Sequence, residues 1–157
     1  MAVTTERKKT QKALEVFKLS IAAKSVNEGF ARTVVAAFAS RLDPTVSELA
    51  DLKTAVSEAV TNSIVHAYKD CRGKAEIQLK GALYADGRVV IEIKDRGCGI
   101  SDVSTAMQPL YTTDPDGERS GMGFTVMEAF CNGVKVRSKP EKGTTVVLTK
   151  RFGDDVK

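Results

Sequence analysis

Glu58, Asn62 and His66 fall at i, i+4 and i+8 in a stretch otherwise made of small and apolar residues. On an α-helix that spacing draws one polar stripe. A carboxylate and an amide within a buried helix are costly unless paired or bound to something. The stripe is therefore a ligand-binding row, a satisfied core network or a solvated surface. A second group centres on Asp95, which ends an alternating apolar run (Val89, Ile91, Ile93) just before Gly97 and Gly99. A carboxylate there can accept hydrogen bonds from an exocyclic amine, and glycines allow backbone to approach a flat ligand. A bare turn has the same composition. The third group is Ser120-Gly121-Met122-Gly123 ahead of an apolar helical run. Free N–H groups at a helix start suit phosphate, and Arg119 could add charge, although flexible glycines alone also start helices.

These groups need elements to hold them. Residues 15–23 alternate Phe17, Leu19 and Ile21 against Lys18 and Ser20, which predicts a strand. Ser25 with Glu28 has capping-box spacing, and Phe30, Val34, Val35 and Phe38 recur at helical intervals. Asp43-Pro44 then punctuates the chain. Thr45 with Glu48 offers a second capping box, predicting a long helix over 46–68 with Leu49, Leu52, Val56 and Val60 on its apolar face. Gly73 marks its expected end. Strands are expected at 75–84 and 89–95, joined through Asp86-Gly87. Residues 101–120, with Pro109 and Pro115, read as a long loop. A helix at 124–130 and a hairpin of 134–138 with 144–150 complete the pattern. Strand runs separated from helix runs argue an α+β two-layer sandwich, a mixed or antiparallel sheet with helices on one face.

The chain has 157 residues with 42% apolar and 28% charged, ordinary for a soluble globular domain. No apolar run approaches the roughly 20 residues of a membrane helix, and the charged N-terminus has no apolar secretory core. A cytoplasmic protein is expected, with no membrane partner. Net charge is +4, much of it from Arg7, Lys8, Lys9 and Lys12. No aromatics interleave those charges, so they read as a solvated tail and no direct nucleic-acid partner is expected. Expected divisions are an extension at 1–14, one domain at 15–152 and a tail at 153–157. Cys71, Cys98 and Cys131 are widely spaced and form no C-x-x-C, so three reduced thiols are expected. A single histidine excludes a His-rich metal site. The third glycine of a dinucleotide fingerprint, the P-loop and the eukaryotic protein-kinase motifs are all absent.

Taken in order, Glu-x-x-x-Asn, Asp-x-Gly-x-Gly, Gly-x-Gly and Gly143-Thr144-Thr145 resemble the GHKL ATPase superfamily and its Bergerat ATP-binding fold. Residues 27–32 (NEGFAR), 56–68 (VSEAVTNSIVHAY), 109–115 (PLYTTDP), 119–128 (RSGMGFTVME) and 143–150 (GTTVVLTK) resemble the anti-sigma-F factors of spore-forming bacteria. The likeness covers about residues 15 to 152. It implies an ATP- or ADP-binding site with Mg²⁺ on Asn62 and Glu58 as general base. Asp95 would accept from the adenine amine, with Gly97 and Gly99 beside the ring and Thr145 completing the pocket. Ser120, Gly121, Met122 and Gly123 would wrap the phosphates with Arg119 close to them, Thr112 and Thr113 would also bind the nucleotide, and His66 would pack near it.

No phosphoacceptor hairpin or transducer domain fits into this length, so the acceptor is expected on another protein. The resemblance implies partner switching by a serine/threonine kinase homodimer. With ATP bound it would hold a sigma-F-like factor inactive, and it would phosphorylate the anti-anti-sigma factor that antagonises it. Glu28 and Arg32 match partner-contact positions, although their i, i+4 spacing also makes an ordinary ion pair. A sigma-B-type stress-response kinase and an ATP-gated sigma-binding module without kinase activity are the alternatives.

Overall fold

A computed structural model describes residues 10–68, 75–108 and 123–153. Five strands, β1 (Glu15–Ala22), β2 (Glu76–Leu83), β3 (Arg88–Asp95), β4 (Gly133–Lys139) and β5 (Gly143–Arg151), form one sheet in the order β1-β2-β3-β5-β4. Every pairing is antiparallel, which settles the mixed-or-antiparallel alternative. The β2–β3 turn uses Gly87 at φ +86°, as the Asp-Gly signal requires.

Helices α1 (Val26–Ala39), α2 (Val46–Asn62), the one-turn α3 (Val103–Ala106) and α4 (Gly123–Phe130) complete the fold. The start of α2 is set by a full capping box: Glu48 N–H donates to Thr45 Oγ1 at 3.1 Å and Thr45 N–H donates to Glu48 Oε2 at 2.8 Å. The same spacing at Ser25 produces no cap, because Ser25 is already αR and its side chain bonds no backbone N–H. Glu28 instead accepts from Ser57 Oγ on α2. The helix expected over 46–68 is α-helical only to Asn62 and then widens to a π-turn, Ser63–Ala67. The segment read as loop from 101 contains α3, capped by Asp102 Oδ1 on Thr105 N–H at 3.1 Å. The Gly73 stop lies outside the described residues.

Leu52, Val56 and Val60 of α2, Val35 and Phe38 of α1 and Met127 of α4 join Ile77, Leu79, Ile91, Ile93, Val146 and Leu148 of the sheet in one core. The opposite face of the sheet mixes charged and polar side chains with Val16, Ala82, Val90 and Val147. Lys150 is a cation buried on the core side of β5. Its Nζ donates to Phe130 O at 2.8 Å and faces Asp51 at 3.5 Å. A buried cation is tolerable when satisfied in this way, and here it closes the C-terminal end of α4.

Gly81 sits opposite Phe17, whose ring meets Phe38 edge-on at 4.6 Å. A Cβ at Gly81 would lie 2.2 Å from the Phe17 ring. Gly81→Ala is therefore expected to destabilise by about 1–3 kcal/mol despite alanine's better strand entropy. A fall in Tm of several degrees checks this, and an unchanged Tm would contradict it.

Candidate nucleotide site

Asp95 ends β3 on the core side, where it is only 4% exposed. Its Oδ1 accepts the backbone N–H groups of Gly97 and Thr144, each at 3.1 Å. Its Oδ2 accepts Ser63 Oγ at 3.0 Å. Two lone-pair sites on each oxygen leave one acceptor position, on Oδ2, for a further donor. Burial pushes the Asp95 carboxyl above the usual carboxylate range, opposed by the bonds from Gly97, Ser63 and Thr144.

The glycines around Asp95 are explained by chain meeting chain. A Cβ on Gly97 would lie 2.0 Å from Ala67 O, and one on Gly143 would lie 2.1 Å from Asp95 O. Gly99 combines φ +73° with Lys139 O at 2.0 Å from its ideal Cβ. Loop 96–99 is thereby stitched between the π-turn and the β4–β5 turn. Cys98 N–H donates to Ala67 O at 2.8 Å, and Glu141 N–H donates to Cys98 O at 2.6 Å.

Glu58 and Asn62 lie one turn apart on α2, half-buried. Gly123, the first residue of α4, closes over both. Its ideal Cβ would stand 3.3 Å from Glu58 Oε2, 3.2 Å from Asn62 Nδ2 and 3.4 Å from Asn62 Oδ1. A carboxylate and an amide thus face a helix start. Ser63, next along α2, reaches Asp95, so one helix end carries both halves of the site. His66 lies in the π-turn, half-buried. The wider turn breaks the i, i+4, i+8 register that an unbroken α-helix would have given it.

Residues 21–150 match the family of the histidine kinase-like ATPase domain. The anti-sigma F factor of Caldanaerobacter subterraneus subsp. tengcongensis is 54% identical over 138 residues, 88% of this chain and 94% of that protein. That of Clostridium botulinum strain Eklund 17B is 54% identical over 137 residues, covering 85% and 92%. The chain belongs to the anti-sigma F factor family. Among solved structures, the RsbU and RsbW domains of Rv1364c from Mycobacterium tuberculosis align with a TM-score of 0.65 at 21% identity. That alignment covers 91% of this chain and 34% of the other, and it bears on the fold.

In this anti-sigma F family member, Thr112, Thr113, Arg119, Ser120, Gly121 and Met122 lie outside the described residues. Thr145 is not brought to Asp95. It pairs with Lys94 and Arg137 on the open face of the sheet, and Thr144 supplies the N–H instead. Glu28 and Arg32 form an i, i+4 ion pair at 3.5 Å beside exposed Val26 and Phe30. Cys98 is in a disulfide, which corrects the expectation of three reduced thiols. Wide sequence spacing does not measure spatial spacing, and loop 96–99 is folded onto the end of the long helix. Cys131 is free and buried, its thiol pushed up to about 11 by burial.

Sequence reasoning missed three supports. Ser63 and Thr144 hold Asp95. The Tyr68 hydroxyl donates to Glu76 O at 2.6 Å and accepts from Arg96 N–H at 2.9 Å, pinning the residue beside Asp95. Thr144 stood in the motif already singled out, but no sequence signal marked the π-turn that aims Ser63.

The raised Asp95 value carries two opposite pH effects. Its contribution to folding stability is full below the ordinary aspartate range and is lost as pH rises through the raised folded value. Binding of an amine donor runs the other way, because protonation removes the acceptor charge. Adenine-nucleotide affinity of the wild type relative to Asp95→Asn is expected to fall on acidification before the ordinary carboxylate range of about 4 is reached. The variant's own profile removes the phosphate titration. A flat ratio down to that range would contradict the expectation.

Proposed function

We propose that this anti-sigma F family member binds ATP between Asp95 and the Glu58–Asn62 end of α2, and that it is a serine/threonine kinase. Its substrate is an anti-anti-sigma factor, and its second partner is a sigma-F-like factor held inactive. The carrying observation is the convergence of Glu58, Asn62 and Gly123 at one helix start, with Ser63 of the same helix bonded to Asp95. Nucleotide binding is the property named by the matched ATPase-domain family.

The donor set fits Mg²⁺. Asn62 and Glu58 offer hard oxygens, and no group of three His, Cys, Asp or Glu side chains able to hold a metal occurs among the described residues. A Mg²⁺ ion takes few protein ligands and relies on phosphate and water oxygens. Asn62 would hold the ion, which when bound would neutralise phosphate charge. Glu58 would take the proton from the attacking seryl hydroxyl, and the N–H groups at the start of α4 would face phosphate.

Exposed Val26 and Phe30, at 79% and 52%, share α1 with the Glu28–Arg32 pair and support a protein-docking role for α1. A homodimer belongs to the same proposal, supported by the edge position of β1 and the exposed Leu14 and Val16. No described helix is long and apolar enough to cross a membrane. Incubation with ATP, Mg²⁺ and the purified antagonist is expected to yield phosphoserine. Nucleotide binding without any phosphoprotein would instead indicate an ATP-gated sigma-binding module.

A further inference from the structure

The open face of the sheet carries three rows of side chains crossing all five strands, of which one, Val16, Ala82, Val90, Thr149 and Gly133, is largely apolar and the other two hold the charges. The register sets Lys18, Lys80, Glu92, Val147 and Lys135 in one row, and Ser20, Gln78, Lys94, Thr145 and Arg137 in the next. Neighbours within a row are about 4.8 Å apart, and the rows are about 6.7 Å apart. Lys18, Lys80, Lys94, Lys135 and Arg137 are all exposed, against two carboxylates, Glu92 within the rows and Glu76 beside them, which accepts from Ser20 Oγ. None of the five makes an ion pair or a side-chain hydrogen bond among the described residues. Lys18 and Lys80 are direct cross-strand partners. Like charges directly opposite destabilise a sheet, so folding alone does not account for them.

The helix layer has the opposite bias: Glu28, Glu48, Asp51, Glu58 and Glu128 outnumber Arg32 and Lys53 on α1, α2 and α4. The protein therefore has a basic sheet face and an acidic helix face.

We propose that the open sheet face docks an acidic polypeptide segment, on the side of the domain opposite α1 and independently of the nucleotide reading. The charge complementarity is direct, since an extended chain laid across the strands can bring Asp or Glu carboxylates to both rows. Nucleic acid fits less well. Neither row has an aromatic side chain on which bases could stack. The cations are spread in two dimensions over a flat surface, whereas a duplex cylinder offers phosphates along a narrow line of contact.

Fluorescence anisotropy with a labelled Glu-rich peptide of about eight residues, spanning ~27 Å extended, tests this on the full chain. Binding is expected at about 0.05 M salt and should weaken about tenfold at about 0.3 M. Lys80→Glu/Lys94→Glu is expected to weaken it about tenfold or more, and Lys80→Gln/Lys94→Gln by a smaller factor. Lys24→Glu/Lys53→Glu, with the same net-charge change away from the open face, should stay within about twofold. The proposal is overturned if the two Glu double variants weaken binding alike, or if no peptide binds at low salt. A DNA duplex that outcompetes the peptide at equal charge concentration would overturn it in favour of nucleic acid.

Discussion

Glu58→Ala is expected to keep ATP and lose phosphoryl transfer. A positioned general base contributes about 10²–10⁴-fold to proton-coupled steps, and the loss should fall in that range. The expectation rests on place and chemistry together. Glu58 Oε2 lies beside the first residue of α4, one helical turn from Asn62 and on the same helix as the serine that orients Asp95. Removing the carboxylate takes no partner from Asp95 and uncovers none of the core formed by Leu52, Val56 and Val60. Folding and adenine binding should therefore survive. Single-turnover transfer from labelled ATP to the antagonist, beside equilibrium ATP binding, checks both halves. Unchanged transfer would remove Glu58 from the base role, and loss of ATP binding in step with transfer would make it a binding residue.

Asn62→Ala is expected to abolish the Mg²⁺ dependence of nucleotide affinity. A contact between an ion and a neutral dipole is of order 1.5–3 kcal/mol, roughly ten- to a hundredfold in affinity. In the wild type, adding Mg²⁺ should tighten ATP binding by about that factor. In the variant the two curves should converge on the weaker value. Even a Cβ added at Gly123 would stand only 3.2 Å and 3.4 Å from the Asn62 side-chain nitrogen and oxygen, which limits how far another group could substitute there. Persistence of the full Mg²⁺ effect would refute Asn62 as the ligand.

Much of this was legible in the residues. Thr45 and Glu48 announced the start of α2, the Leu52–Val56–Val60 spacing announced its buried face, and the alternation before Asp95 announced a strand. These are local signals, each set by one element's own periodicity or cap. What escaped depends on contacts between distant segments. Ser25 and Glu28 have the spacing of a cap, yet Glu28 is drawn to Ser57 on another helix. The π-turn at Ser63–Ala67 has no compositional mark; it accompanies the bonds of Ser63 to Asp95 and of Ala67 O to Cys98 N–H. That Thr144 and not Thr145 donates its N–H to Asp95 depends on the β3–β5 register, which pairs Thr145 with Lys94. Gly97 and Gly99 read in the sequence as making room for a ligand, but the space they leave is filled by backbone, as it is at Gly143.

The central claim is that Asp95 receives the adenine amine, and the Asp95→Asn variant isolates it. Asparagine keeps an oxygen for the N–H groups of Gly97 and Thr144, and Ser63 can rotate its hydroxyl to accept from the new amide. The loop should then hold its shape while the acceptor facing the nucleotide becomes a donor. Calorimetric titration with Mg·ATP is predicted to show one site per wild-type chain and an affinity lower by about ten- to a hundredfold in the variant, with melting nearly unchanged. Equal affinity in the two proteins, or no uptake of ATP by the wild type, would contradict the account.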